Sequence, residues 1–180
     1  RRYHDVVLHD VVLPGGSMVG AAGEADEHDA QLLDLLAVMS SAEMVGAVER
    51  AFSATLAWTA DRYSFGRPLA SYQAIKHRMA GVRTELEAGE AITGRAAEAV
   101  GAEARDARAW ASAAMAHVAD RAPEAVQECI QFHGGIGVTY ELDLHLFLRR
   151  VVVDSQLHGS AREFRRRLGS LVVADQTVAS

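Results

Sequence analysis

Residues 15–67 contain no proline, and from Asp26 onward their apolar side chains recur at intervals of three and four. Leu32, Leu35, Leu36 and Met39 form a helical stripe that Val45, Val48, Phe52, Leu56 and Tyr63 continue. The pattern predicts one helix of about 35 residues, about 50 Å long, closed by Gly66 and Pro68. A rod of that length cannot bury its own apolar side, so it needs other helices laid along it. The chain supplies them. A second helix is expected over 71–100, with Ile75, Met79, Val82 and Leu86 on one stripe. A third is expected over 103–119, and a fourth over 123–132 with Pro123 at its first position. A fifth covers 142–157 and a sixth 161–171. Long helices with short connections imply an all-α, antiparallel helical bundle spanning 26–172, followed by a tail at 173–180.

The first residues differ. HDVVLHDVVLPGG is rich in valine and ends in a Pro-Gly-Gly turn, which reads as one or two short strands. A lone strand pair is marginal in water, so residues 1–25 read as a β remnant and connector that pairs with sheet outside this chain.

Composition narrows the chemistry. A net charge of −6 weighs against a nucleic-acid partner, and the basic run at 162–167 reads as a charged helix face. Cys129 is the single cysteine, which excludes an internal disulfide and a cysteine-based zinc site. His4 and His9 are five apart and face opposite sides of a strand, so no metal is expected there. No uninterrupted apolar run approaches the ~20 residues that cross a bilayer, and the start lacks the apolar stretch of a leader. The expectation is a cytoplasmic chain with no membrane partner.

Two stretches stand out. QFHGGIGV, residues 131–138, places three glycines within four positions after a predicted helix. A dinucleotide fingerprint needs its glycines after a strand and at a different spacing, so a Rossmann turn is excluded. A helix terminus accounts for one glycine or two, whereas three suggest that something approaches the backbone closely. Free N–H groups at such a turn can hold phosphate oxygens. The second stretch, DRYSFGRPLASYQ at 61–73, reads as a turn between helices. A turn explains Gly66 and Pro68 but not Arg62, Phe65 and Gln73, and an arginine with a nearby aromatic suits a phosphate and a planar ring.

The pair RYSFGRP…Q and QFHGGIG, in this order and spacing, resembles the C-terminal helical domain of the acyl-CoA dehydrogenase family. HDVVLPGG near the start resembles the last strand of that family's middle β domain. The resemblance implies FAD as cofactor, an acyl-CoA substrate oxidised to its α,β-enoyl form, and a homo- or hetero-oligomer, typically a tetramer. It also implies that this domain holds the ADP half of a neighbouring subunit's FAD. Arg62, Phe65, Gln131, Gly134, Gly135 and Ser160 fall at the corresponding cofactor-binding positions, and Gln73 matches the pattern too.

One element of the family pattern is absent. The reaction needs a carboxylate to take the α-proton. Aligned on the glycine motif, the glutamate of the family's Glu-Gly-Thr triplet becomes His158, with Gly159 and Ser160 beside it, and the upstream Arg-Asp pair becomes Arg149 and Arg150. The alternative location on the first helix falls near Leu36; Asp34 is two residues away, on another face. Three readings stay open: a subunit without its own base beside a catalytically complete partner, His158 as base oriented by Asp154, and a helical assembly module without chemistry. The resemblance also implies that the family's N-terminal helical domain and most of its middle domain lie outside this chain. Glu141 reads as a helix-start residue, His117 and Asp120 as a solvated face, and Trp58 and Trp110 as packing residues.

Overall fold

The computed structural model describes residues 4–21, 23 and 25–178, with side chains described as far as Ala174. Five α-helices make the bundle: α1 (Ala25–Asp61), α2 (Gln73–Gly101), α3 (Ala107–His133), α4 (Leu144–Leu157) and α5 (Ala161–Val178). The α1–α2 connection carries a two-residue hairpin, β1 (Tyr63–Ser64) against antiparallel β2 (Arg67–Pro68). α3 lies at the centre and packs on all four other helices. Its buried side is mostly alanine, including Ala111, Ala114, Ala122 and Ala125, so neighbouring helices approach closely around Met115 and Val126.

This packing overrides one sequence-based expectation. Pro123 does not start a helix; it lies inside α3, which runs unbroken from Ala107 to His133. An interior proline costs about 3 kcal/mol through a lost hydrogen bond and a ring clash. Packing of α3 against all four other helices outweighs that cost, and local propensity yields.

A second difference concerns α1. Val48 and Phe52 are buried as expected, but Leu32, Leu35 and Met39 are exposed, and Asp34, Ala37, Val38, Ser41, Met44, Ala51 and Thr55 complete the inward face. Leu56 and Tyr63 also face outward. The helix is apolar nearly all round, so periodicity could not select a face; α3's alanines accept small residues, and those turn inward. By length and composition α1 could cross a bilayer, with an 18-residue window of mean hydropathy 1.4, although polar residues interrupt its apolar run. Here it packs on α2, α3 and α4.

The expected N-terminal strands do not form among the described residues. Residues 4–14 are exposed and carry no ladder, with a bend at Asp10 (φ 47°), because a strand needs a neighbour to bond. Along α2, Met79, Val82 and Leu86 are buried as expected. α5 continues to Val178, beyond where the sequence places the tail.

Charged groups cross-link the helices. Asp34 of α1 is buried and meets Arg167 of α5 at 2.6 Å and Arg108 of α3 at 3.4 Å. Arg108 also pairs with Glu27 at 2.8 Å, and Arg167 donates to Ser112 Oγ at 3.1 Å. Cys129 is buried, which pushes its thiol up to about 11 and leaves it inert near neutral pH.

Candidate functional site

A cleft of about 500 Å³ opens where α1 and α3 end and α2 begins. α1 stops at Asp61, and the chain reverses through a hairpin whose two tip residues, Phe65 and Gly66, both have positive φ (48° and 80°). Paired positive φ values are the signature of a tight hairpin turn that suits glycine and strains phenylalanine. The Tyr72 hydroxyl donates to the Ser64 carbonyl at 2.7 Å and ties the hairpin to the start of α2. Arg62 stays at the helix end, its backbone N–H bonded to the Trp58 carbonyl at 2.9 Å. Its guanidinium lines the cleft, and no described carboxylate lies within ion-pair distance of it. A cation left without a counter-charge at a concave surface is suited to an anionic ligand.

The opposite wall is the glycine stretch, and its three glycines have three different causes. Gly134 caps α3 at φ 66°, ψ −143°, a conformation essentially reserved for glycine. Gly137 is pressed against its own helix: a Cβ there would stand 2.5 Å from the Ile130 carbonyl oxygen. Gly135 has neither constraint, for a Cβ on it would meet nothing within 4 Å. The close approach inferred from sequence is therefore internal at Gly137, while Gly134 and Gly135 leave bare backbone to the open cleft, Gly135 without any conformational demand for glycine. Gln131 lines the same wall one turn earlier.

Arg62, Gln131, Gly134 and Gly135 thus converge on one cleft. Phe65 does not line it; that side chain projects from the hairpin tip, 97% exposed. Gln73 is the exposed first residue of α2. Ser160 lies elsewhere, in the α4–α5 connection. Its hydroxyl and N–H both donate to Glu163 Oε2 at 2.7 Å, and Glu163's N–H donates back to Ser160 Oγ at 3.3 Å. That reciprocal pattern is a capping box starting α5, and it holds the Glu163 carboxyl below the usual range. His158 is half-buried at the C-terminal cap of α4. Asp154, one turn before it, is 1% exposed and pairs with Arg150 at 2.8 Å; Arg150 pairs in turn with Glu43.

Sequence reasoning missed three cleft residues. Trp58, read as packing, lines the cleft under Arg62. His133, inside the quoted motif, is buried and stacks on Trp58. Arg78 lines the cleft above the Phe132 ring, 5.0 Å from its centroid, and pairs with Glu128. The four-residue step from Trp58 to Arg62 was the available signal for the first. Of the residues set aside, Asp120 pairs with Arg165 at 3.3 Å and His117 lies 3.7 Å from Glu85.

The bundle thus opens at one end on a cleft that brings together an arginine with no described carboxylate partner, a side-chain amide, glycine backbone and planar rings. The family model for the acyl-CoA dehydrogenase C-terminal domain matches residues 29–169, and the chain belongs to that family. It is 39% identical over 145 residues to acyl-CoA dehydrogenase IpdE2 of Mycobacterium tuberculosis, covering 80% of this chain and 43% of that protein. The chain therefore spans less than half the length of this relative. Among solved structures, butyryl-CoA dehydrogenase from Megasphaera elsdenii superposes with a TM-score of 0.87 at 23% identity, over 93% of this chain and 43% of that one. A variant of the Tcur3481-Tcur3483 steroid ACAD gives 0.76 at 28% identity, over 82% and 40%.

Proposed function

We propose that this chain is the C-terminal part of an FAD-dependent acyl-CoA dehydrogenase component, and that its cleft holds the ADP half of an FAD bound mainly by a neighbouring subunit. The observation that carries the reading is the convergence of Arg62, Gln131, Gly134 and Gly135 on one cleft with an uncompensated cation. The donor set fits a diphosphate: a guanidinium fork, a side-chain amide, and glycine backbone that nothing in the chain covers. The rings of Trp58 and Phe132 lie beneath the two arginines of the cleft, Arg62 and Arg78. When bound, FAD supplies the hydride acceptor for α,β-desaturation of an acyl-CoA. Arg62 would neutralise phosphate charge, Gln131 would orient the nucleotide, and Gly135 would let it reach the backbone.

The chain is further proposed to lack its own general base and to work beside a catalytically complete partner, within a homo- or hetero-oligomer. Asp34, the acid nearest the first-helix location, is buried between Arg108 and Arg167. Asp154 is committed to Arg150 inside the bundle. Both carboxylates are engaged by arginines and neither lines the cleft.

The test is the flavin content of the native assembly, purified with its co-expressed partner and read by visible absorption. One FAD per two different chains is expected, and Arg62→Ala should weaken FAD binding about tenfold or more, the worth of a charge-assisted hydrogen bond. A colourless assembly that takes up no FAD would leave the helical assembly module as the surviving reading. One FAD per identical chain, with reduction by acyl-CoA abolished in His158→Ala, would make His158 the base.

A further inference from the structure

The cation of the cleft rests on a stack that joins two helices. Trp58 lies one turn before Arg62 on α1, so their side chains share a face. The Arg62 guanidinium carbon is 5.9 Å from the indole centroid, within reach of a cation–π contact. His133, from the last turn of α3, stacks on the same indole with centroids 5.1 Å apart and planes inclined by 23°. The imidazole is itself fixed, because Nδ1 donates to the Cys129 carbonyl at 2.8 Å.

One detail separates this indole from ordinary packing. Its Nε1 is buried and makes no hydrogen bond. A leucine or phenylalanine at position 58 would leave no polar atom orphaned there. What tryptophan offers that leucine does not is a broad, electron-rich face, the best of the aromatic faces for a cation. Arg62 meanwhile has no described carboxylate to hold it. Its long side chain has many rotamers to lose when it grips a ligand, and a preformed ring contact lowers that loss.

We propose that Trp58 is a positioning residue, clamped by His133, that holds the Arg62 guanidinium ready for the diphosphate of a dinucleotide. The inference rests on reading the cleft as a dinucleotide site. It places the grip of Arg62 under the control of α3, through an imidazole that does not itself need to touch phosphate.

A double-mutant cycle tests it. FAD and ADP titrations on the flavin-stripped native assembly compare wild type, Trp58→Leu, Arg62→Ala and the double variant, with Trp58→Phe as the conservative control and circular dichroism to check the fold. Trp58→Leu should weaken binding about tenfold, and Trp58→Phe less than about threefold because a ring face remains. In the Arg62→Ala background, Trp58→Leu should add less than about twofold, since its effect runs through Arg62. Additive losses, or equal losses from leucine and phenylalanine, would overturn the positioning role while leaving the flavin reading intact. Absence of any effect from Arg62→Ala would overturn the flavin reading, and the role of Trp58 with it.

Discussion

Gly135 and Gly137 are two residues apart, and the hydrogen that stands for a side chain on each faces a different world. On Gly137 it faces the Ile130 carbonyl, and a methyl group there would stand 2.5 Å from oxygen. Gly137→Ala should therefore lower the melting temperature by an amount matching about 1–3 kcal/mol, the range for forced overpacking of a tight contact. On Gly135 a methyl group meets nothing. Gly135→Ala should leave thermal stability within about 0.5 kcal/mol of wild type yet weaken FAD binding by the assembly. If the two variants instead behave alike, in melting and in flavin titration, the division between an internal and an external glycine fails. The sequence showed that the stretch was unusual, and it identified Arg62, Gln131, Gly134 and Gly135 as belonging together. It could not show which glycine served which purpose, because that depends on where the chain folds back on its own carbonyls. Nor could it separate Ser160 from the cleft residues. The hydroxyl matched a family position, but its bonds to Glu163 are local and begin a helix.

Helix ends are where local sequence speaks most clearly, and α5 illustrates this. Ser160 and Glu163 form its capping box, so Ser160→Ala should cost about 1 kcal/mol in chemical denaturation. Hydrogen bonds from Ser160 hold the Glu163 carboxyl below its ordinary value. A depressed folded-state pKa contributes stability that is fully present above the unfolded value of about 4.3 and is lost as pH falls through the folded value. The Ser160→Ala penalty should thus be full at neutral pH and shrink below about pH 4, as acid titration followed by circular dichroism would show. Helix interiors are less legible. Pro123 read as a start, whereas packing carries α3 through it. Pro123→Ala should raise the melting temperature, because it restores a backbone donor and removes a clash worth up to about 3 kcal/mol. A fall would mean that the proline contributes a packing contact outweighing that strain. The face of α1 was misread for a related reason: a helix apolar on all sides carries no directional signal, and its neighbours decide which side turns in.

Across the whole molecule, the bundle architecture and the turns at Gly66 and Gly134 were visible in the sequence, because breakers and periodicity are local properties, whereas the six expected helices became five when α3 ran through Pro123. The ion-paired interior was not. Asp34 was noted only for the face it occupied, yet it joins α1 to α3 and α5 through Arg108 and Arg167. Removing one partner leaves a buried charge uncompensated, so Asp34→Ala should destabilise the chain by about 3 kcal/mol in urea denaturation without changing FAD affinity in assemblies that remain folded. A loss of FAD affinity at unchanged stability would reassign Asp34 to the site. The position of α3 has a further consequence for how the protein comes apart. Every other helix leans on α3, and the last turn of α3 is also a wall of the cleft. No part of the bundle can loosen α3 and leave the cleft standing, so the grip on a ligand and the integrity of the fold belong to a single cooperative unit. A molecule seated between Arg62 and Gly135 would act as a keystone, delaying the melting of all five helices together rather than steadying one end.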